Sequence, residues 1–256
     1  MKYYSQYKQD YWVDKLLDAK SSGVFLDIGA NDGVTISNTY FFEKNRGWKG
    51  ICVEPITDVY NKLVNNRHCE AINACVSDKR GKEVFFRIDG FGEMLSGIKS
   101  EYHESHWKRI MKDVESEGDQ IVEYEVECLP VNDILEKFNY SDIDFLSVDT
   151  EGSELKILQA IDFNRFHFSI ICVENPYNEK GFENLLNANG FELCKILSCD
   201  YLFINKKDSG LYKKARPYIL STKVQRALPI STYFRKTYNG FKQIVKRALR
   251  MVGLRK

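Results

Sequence analysis

Two apolar runs, each with an acidic residue at or near its end, place the strongest limit on how this chain can fold. Residues 24–28 read Val-Phe-Leu-Asp-Ile and lead into a turn, residues 29–33, that holds two glycines. Residues 50–53 form a second run, and Glu54 follows it directly. Buried parallel strands have such continuous apolar runs, and open parallel sheets bind ligands at the carboxyl ends of their strands. The two runs therefore predict a nucleoside pocket at the edge of an α/β sheet.

Further apolar runs extend this pattern into a Rossmann-like sheet. The runs lie at 24–28, 50–53, 71–76, 143–149 and 168–173. Helical segments separate the first three, which is the β-α-β-α-β order of a parallel sheet with right-handed crossovers. Residues 191–197 and 201–205 predict an antiparallel hairpin that closes the sheet. We expect one α/β domain over residues 1–210, with a mostly parallel sheet and helices on both of its faces.

Residues 89–120 interrupt the regular pattern. They begin with Gly90, Gly92 and Gly97, and continue into a polar stretch without a clear helix or strand period. Long irregular insertions in compact domains are usually functional loops. We expect this segment to be a substrate lid, and a mobile surface loop is the alternative.

The cysteines and the amino terminus point to a protein of the cytoplasm. None of the seven cysteines forms a C-x-x-C pair, and four of them fall inside apolar runs, where free cysteine behaves as a small hydrophobic residue. This pattern favours a reducing compartment and argues against disulfides and zinc. The first residues lack the apolar core of a signal peptide, and no apolar run is long enough for a membrane span.

The charge is divided between two parts of the chain. Residues 211–256 hold thirteen Lys and Arg and no acidic residue, whereas residues 1–210 carry a net charge of −12. Apolar residues recur at helical spacing over 239–254, opposite basic ones, which is typical of a helix at an anionic membrane surface. The alternatives for this basic tail are packing on the body or on an assembly partner, and contact with nucleic acid. The last is not favoured, because the body has no basic sheet interleaved with aromatic residues.

The turn at residues 27–33 helps to identify the nucleoside. A dinucleotide site needs G-x-G-x-x-G spacing, so that bare backbone N–H groups reach a pyrophosphate. This turn breaks that spacing and places Asp27 and Asp32 beside the phosphates such a ligand would bring. Like charges at about 4 Å cost on the order of 1 to 4 kcal/mol. S-adenosylmethionine has no phosphate and carries two cationic groups, so an acidic rim favours it over NAD.

Seven sequence blocks, in order from about Ser5 to Lys206, resemble those of the FkbM-type methyltransferases. They are Ser5-Gln6-x-x-Gln9-Asp10, residues 26–33, Ser37-Asn38-Thr39, residues 46–55, Asn73-Ala74-x-x-Ser77-Asp78, residues 148–154 and Asp162-Phe163. One block departs from the family pattern, because Lys8 stands where a glycine is frequent. The resemblance implies a class I fold with a seven-stranded sheet, S-adenosylmethionine as cofactor with S-adenosylhomocysteine as product, and O-methylation of sugars or polyketide hydroxyls.

The same resemblance assigns residues to the cofactor. It implies that Asp27, Gly29 and Asn31 border the methionine half and that Glu54 holds the ribose. The further cofactor-binding candidates are Asp32, Ser37, Asn38, Pro55, Ser77 and Asp78, with Ser77 and Asp78 near the adenine edge. Ser37 and Asn38 could either cap the helix that follows the turn or touch the methionine carboxylate.

Carboxylates at other strand ends are the candidates for catalysis. An aliphatic hydroxyl is a poor nucleophile until a general base accepts its proton, which typically contributes about 10² to 10⁴-fold. Asp149 is the first candidate because it ends the central strand, and Glu151 and Glu174 are the next. Asp149 could instead only orient the cofactor. If the three converge they could also hold a divalent metal ion, which we do not favour.

These observations lead to one expected function and two alternatives. We expect an S-adenosylmethionine-dependent O-methyltransferase that acts on a hydroxylated acceptor, a sugar of a surface polysaccharide, in the cytoplasm or on the inner face of the membrane. The first alternative is an N- or small-molecule methyltransferase on the same fold, since one fold hosts many functions. The second is a cofactor-binding module of a glycan-assembly complex that transfers no methyl group.

Overall fold

The computed structural model describes residues 1–90, 93–102 and 104–227. Its helices are α1 (Gln9–Leu16), α2 (Tyr40–Arg46), α3 (Thr57–Asn66), α4 (Glu104–Glu117), α5 (Val131–Lys137), α6 (Glu154–Gln159), α7 (Lys180–Ala188) and α8 (Ser209–Ala227). Its strands are β1 (Val24–Ile28), β2 (Lys49–Val53), β3 (Glu70–Ile72), β4 (Cys75–Val76), β5 (Gly81–Asp89), β6 (Gly97–Ile98), β7 (Gln120–Leu129), β8 (Asp142–Val148), β9 (His167–Glu174), β10 (Phe191–Leu197) and β11 (Asp200–Asn205).

The larger sheet is mixed and carries the candidate site on one edge. Its strand order is β10-β11-β9-β8-β1-β2-β3. Strands β3, β2, β1, β8 and β9 run parallel to one another, and β11 is antiparallel to both β9 and β10. The predicted α/β class with a mixed sheet is confirmed. The order reverses between β1 and β8, so the carboxyl ends of β2, β1, β8 and β9 lie side by side.

Both faces of this sheet are buried, because successive side chains of a strand point to opposite faces. Leu26 of β1 and Leu146 of β8 belong to one apolar core, which α5, α6 and α7 cover. Phe25 and Phe145, one position earlier on the same strands, belong to a second core that includes residues of α1, α2 and α8. The continuous apolar runs of the sequence are thus explained by burial on both sides.

A smaller sheet of order β4-β7-β5-β6 stands beside the first. β5 and β7 form its long antiparallel pair, from Gly81 opposite Cys128 to Asp89 opposite Gln120. The single strand expected over residues 71–76 is wrong, because β3 and β4 belong to different sheets. The side chain of Asn73 donates to the carbonyl oxygens of Glu54 and Pro55 at 2.9 and 3.0 Å, which ties the chain down between the two strands.

Helix α8 is packed on the body of the domain. Its Ala215 and Ile219 are buried in the second core, and Thr222 Oγ1 donates to the carbonyl of Cys194 at 2.8 Å. The described part of the predicted basic tail is therefore continuous with the domain, whereas the amphipathic segment expected at 239–254 lies outside the described residues. Among the helices that the structure describes, none combines the length and the hydropathy needed to cross a bilayer.

Candidate functional site

One cavity of about 490 Å³ opens at the edge where β2, β1, β8 and β9 end. Open α/β sheets bind ligands at such a reversal of strand order. Ten of the predicted site residues line this cavity: Asp27, Gly29, Asn31, Ser37, Asn38, Glu54, Pro55, Asp149, Glu151 and Glu174. The strand order therefore brings together residues that lie up to about 150 positions apart in the sequence.

Close contact between strands shapes the turn that follows β1. Gly29 has a φ of 84°, and a Cβ atom at this position would lie 1.7 Å from the backbone oxygen of Asp149. The N–H groups of Gly29 and Ala30 donate to the carbonyl of Val53 at 3.0 and 3.1 Å. Only glycine combines this conformation with the missing side chain. The turn therefore holds the ends of β1, β2 and β8 at one point.

The carboxylate of Glu54 is buried and held by backbone donors. The N–H of Asn31 donates to one of its oxygens at 3.0 Å, and the N–H of Ile56 donates to the other at 2.8 Å. Burial raises the pKa of Glu54 to about 7, because the lost solvation outweighs these hydrogen bonds. Each carboxylate oxygen has a second lone pair. Glu54 can thus accept hydrogen bonds from two vicinal hydroxyls, as a ribose presents.

Asp27, Ser37 and Asn38 differ in what their side chains can offer a ligand. Thr39 Oγ1 donates to the Asp27 carboxylate at 2.6 Å, and burial raises the pKa of Asp27. Ser37 Oγ accepts two backbone N–H groups at the start of α2, so it serves as a cap. Asn38 Nδ2 donates to Ser147 Oγ at 3.0 Å, but Asn38 Oδ1 is buried without a hydrogen-bond partner. Buried acceptors usually have partners, and this one fits a cationic donor in the cavity.

Three carboxyl groups meet at the ends of β8 and β9. One oxygen atom from each of Asp149, Glu151 and Glu174 lies within 4.8 Å of the others. Asp149 lines the cavity and is an exposed residue, although neighbouring protein atoms desolvate its carboxyl group. Burial, followed by the charges of Glu174 and Glu151, raises the pKa of Asp149 well above its ordinary value. Asp149 is therefore a stronger base than an aspartate in water.

The same oxygens are of the kind that coordinates Mg²⁺ or Ca²⁺. Acidic groups also converge without an ion, and a full shell for either ion needs six or more oxygen ligands. The arrangement of these three carboxyl groups, by itself, does not favour a metal.

Three predicted cofactor residues are not brought to this cavity. Asp32 Oδ1 accepts the backbone N–H groups two and three residues further along the chain, at 2.9 and 2.7 Å, and thus caps its own turn. Ser77 is buried and donates to Asp78 at 3.1 Å. Asp78 forms an ion pair with Lys156 at 3.3 Å. These local partners explain why acidic and hydroxyl side chains occur at these positions.

Several lining residues were missed by the reasoning from sequence. Gln6, Tyr7 and Gln9 line the cavity from the amino-terminal side, together with Cys199 from the turn before β11 and Asp200, the first residue of β11. The motif Ser5-Gln6-x-x-Gln9-Asp10 was a signal for the first three, but the expected role of that region was a helix that covers the sheet. Asp200 gave no signal, since the sequence predicted it as part of an ordinary hairpin turn, whereas it is the first residue of β11.

Among the described residues of 89–120, the predicted lid contributes one wall of the cavity. Of residues 89–120, a short turn with Glu93, Met94, Leu95 and Ser96 lines the cavity. Tyr102 donates from its hydroxyl to the carbonyl of Leu95 at 2.7 Å, and Ser96 Oγ accepts the N–H of Ile88 at 3.0 Å. The 14-residue helix α4 accounts for most of the remainder. The described part of this region is thus a turn held by hydrogen bonds, followed by helix α4.

The cavity lining has a pronounced charge bias. Seven carboxyl groups line it, and no Lys, Arg or His does so among the residues that the structure describes. The carboxyl groups are Asp27, Glu54, Glu93, Asp149, Glu151, Glu174 and Asp200. Like charges repel strongly where solvent is partly excluded, so this cavity disfavours phosphates and favours a ligand with positive charge.

Comparison of the sequence with protein families gives one match over most of the chain. The model of the "Methyltransferase FkbM domain" matches residues 27–239. This range begins at the acid of β1 and includes every strand-end carboxylate described above. A comparison with curated proteins found no match.

Solved structures of methyltransferases are similar at low sequence identity. Methyltransferase FkbM from Methylobacillus flagellatus KT has 13% identity and a TM-score of 0.46, and the match covers 78% of this chain and 48% of that one. The METTL16 methyltransferase domain has 11% identity and a TM-score of 0.40, and the match covers 75% of this chain and 64% of that one. Precorrin-6y C5,15-methyltransferase from Geobacter metallireducens GS-15 has 11% identity and a TM-score of 0.37, and the match covers 76% of this chain and 86% of that one. This chain thus spans about half the length of the first of these proteins.

Proposed function

The chain belongs to the FkbM methyltransferase family, and on this premise we propose that it transfers a methyl group from S-adenosylmethionine to a hydroxyl group of a sugar or related acceptor. The observation that carries the proposal is the cavity lined by seven carboxyl groups and, among the described residues, by no basic side chain. A sulfonium cofactor is cationic and has no phosphate. It therefore suits this lining better than NAD or a nucleotide does.

The residues around the β1 turn fit the cofactor. Glu54 would hold the ribose hydroxyls, and the unpartnered Oδ1 of Asn38 would accept a hydrogen bond from the ammonium group of the methionine part. Side chains of Ile56, Val76, Phe85 and Ile98 line the neighbouring apolar part of the cavity, which suits the faces of an adenine ring. When bound, S-adenosylmethionine supplies an electrophilic methyl carbon on sulfur.

Asp149 is the residue we assign to the acceptor hydroxyl. The Asp149 carboxylate would accept the proton of the acceptor hydroxyl while the hydroxyl oxygen takes the methyl group that S-adenosylmethionine would supply, with S-adenosylhomocysteine as the leaving product. Burial beside Glu174 and Glu151 raises the pKa of Asp149, which strengthens it as a base toward an alcohol. Glu151 and Glu174 act on Asp149 through their charges. Because the transfer is a displacement in line, positioning of the acceptor supplies much of the rate.

Binding of S-adenosylhomocysteine, measured by calorimetry, tests the cofactor part of this proposal. We expect the wild-type protein to bind, and Glu54→Ala to bind about 10-fold or more weakly because two hydrogen bonds to a buried carboxylate are lost. Asp58→Ala is a control, since Asp58 is an exposed acid that does not line the cavity. Absence of binding by the wild-type protein would defeat the proposal.

Transfer of a labelled methyl group to extracted glycan tests the acceptor. We expect label on sugar oxygen, and Asp149→Asn should lower the turnover about 100-fold or more while leaving S-adenosylhomocysteine binding intact. Label on nitrogen would instead identify an N-methyltransferase. Cofactor binding without transfer to any acceptor would indicate a binding module.

We further propose a place of action at the inner face of the membrane. Residues 228–256 hold eight basic residues and no acidic one, and clusters of this kind are attracted to anionic lipid headgroups. Glycan precursors linked to lipid would be presented at that surface.

A further inference from the structure

The first residues of the chain form a loop that is held by hydrogen bonds to side chains at the start of α1. The carboxylate of Asp10 accepts the backbone N–H groups of Tyr4 and Ser5 at 2.6 and 3.2 Å, and the Ser5 hydroxyl at 2.5 Å. Gln9 Oε1 accepts the N–H of Tyr7 at 2.8 Å. Side chains at the start of α1 thus accept the backbone N–H groups of residues 4, 5 and 7, and we call residues 5–8 the N-terminal loop. This explains why Gln9 and Asp10 belong to one motif with Ser5 and Gln6.

A second contact joins the N-terminal loop to the far end of the chain. Gln9 Nε2 donates to Asp200 Oδ2, and both side chains are at most 5% exposed. Burial raises the pKa of Asp200 to about 6, and the hydrogen bond from Gln9 opposes this rise. Because a buried amide and carboxyl group left unpaired would each cost free energy, this pair holds the loop against the first residue of β11.

Gln9, which follows the loop, is bonded to Asp200 at the end of the sheet edge that is remote from Glu54, while Tyr4, which precedes the loop, packs against Tyr40 of α2 with ring centroids 4.8 Å apart. Asp200 is opposite Glu174 in the pairing of β11 with β9, and the order β11-β9-β8-β1-β2 separates Asp200 from Glu54. Four strand spacings of about 4.8 Å make this separation roughly 19 Å. Gln6 and Tyr7 of the loop line the same cavity. The carboxyl cluster around Asp149 lies between these two ends.

Resting on the proposed function, we propose that the N-terminal loop is the acceptor-binding wall of the active site, and that it recognises a hydroxyl-rich acceptor through Gln6 and Tyr7. An amide and a phenol both donate and accept hydrogen bonds, as recognition of hydroxyl groups requires. Gln9 is a positioning residue, because its side chain is bonded to the loop backbone and to Asp200. Lys8 has a φ of 69°. This left-handed conformation turns the chain between residues 6 and 7 and the first residue of α1.

Kinetics with soluble oligosaccharides, prepared by partial hydrolysis of extracted glycan, test this assignment. For Gln6→Ala and Tyr7→Ala we expect the KM for the oligosaccharides to rise about fivefold to tenfold, as loss of one or two hydrogen bonds predicts. Turnover and the Kd for S-adenosylhomocysteine should stay within about twofold. Gln9→Ala should show the same rise in KM and faster tryptic cleavage after Lys8. Lys8→Ala is the matched control, since this exposed side chain of the same loop does not line the cavity.

The outcomes separate this inference from the proposed function. An unchanged KM in the Gln6 and Tyr7 variants would overturn it, and so would a weakened Kd for S-adenosylhomocysteine, which would assign the loop to the cofactor. If the wild-type protein binds S-adenosylhomocysteine but methylates no glycan, the proposed function fails by itself. Protection of the bond after Lys8 from trypsin by the oligosaccharides then decides the loop assignment: protection supports it and its absence overturns it.

Discussion

Two features of Gly29 disfavour any other residue at this position: its backbone conformation and its short distance to the backbone of Asp149. Its φ of 84° disfavours any side chain, and a Cβ atom would lie 1.7 Å from the backbone oxygen of Asp149. Gly47 has a similar φ of 65°, but a Cβ atom there would meet nothing within 4 Å. We expect Gly29→Ala to cost more than about 4 kcal/mol of unfolding free energy or to prevent folding, and Gly47→Ala to cost about 1 kcal/mol. Urea unfolding of both variants measures the difference, and equal losses would show that β1 and β8 do not need this close approach.

If Glu54 holds the ribose as proposed, its raised pKa makes cofactor binding depend on pH. The ribose hydroxyls are donors, so the ionised form of Glu54 binds them better, while burial raises its pKa to about 7. Affinity should therefore rise as the pH increases through 7 and level off above it. Between pH 6 and pH 8 the Kd for S-adenosylhomocysteine should fall roughly tenfold, following the ionised fraction.

Calorimetry at both pH values measures this change, and Glu54→Gln is the control variant. It should bind weakly and with little dependence on pH between 6 and 8, because its amide does not titrate. A wild-type affinity that is constant over this range would contradict the assignment of Glu54.

Single residues at strand ends were the most predictable part of the site. Asp27, Glu54, Asp149 and Glu174 each follow or end an apolar run, and the rule that ligands bind at the carboxyl ends of parallel strands assigns them to one edge. Asp200 lies at the same edge of the sheet, but it starts a strand instead of ending one. Its partner Gln9 is 191 residues away. No local pattern in the sequence encodes such a pair, because only the completed sheet brings its members together.

At the scale of elements, α8 tests how far the domain extends. Ile219 is 3% exposed in the second core, whereas Leu220, its neighbour on the same helix, is 56% exposed. Ile219→Ala should lower the free energy of unfolding by about 2 to 4 kcal/mol, since it leaves a cavity in a packed core. Leu220→Ala should change it by less than about 0.5 kcal/mol. Denaturant unfolding compares the two, and equal small effects would mean that α8 is an appendage that the domain does not need.

Elements were predictable where one physical signal dominated. The runs that became β1, β2, β8 and β9 are buried on both faces, so continuous apolarity was a sufficient guide. The run at 71–76 had the same signal, yet the side chain of Asn73 fixes a break inside it. Apolar composition does not report on such a hydrogen bond. Helix α4 was missed because its residues are mostly polar, and the weak apolar stripe that includes the buried Ile110 was not recognised.

On the scale of the whole molecule, charge separates the domain from the segment that follows it. Residues 1–227 hold 29 basic and 36 acidic residues, a net charge of −7, while residues 228–256 hold eight basic residues and no acidic one. An anionic lipid surface therefore repels the first part and attracts the second. Each basic residue near such a surface contributes on the order of 1 kcal/mol at moderate ionic strength. The segment is thus the part of the chain that would bring an acidic enzyme to an acidic membrane.

Removal of residues 228–256 tests this idea while retaining every element that the structure describes. A chain that ends at Ala227 retains the buried Ala215 and Ile219, whereas a chain that ends at residue 210 would lose them and confuse lost binding with lost folding. The shortened protein should bind vesicles that contain phosphatidylserine at least about tenfold more weakly than the full chain, and the binding of the full chain should fall as salt is added. Its Kd for S-adenosylhomocysteine should be unchanged. Equal binding of both forms to these vesicles would show that the basic segment does not dock the protein on lipid. Equal binding of the full chain to neutral phosphatidylcholine vesicles would show that apolar contact with the bilayer, and not attraction to anionic headgroups, drives the binding.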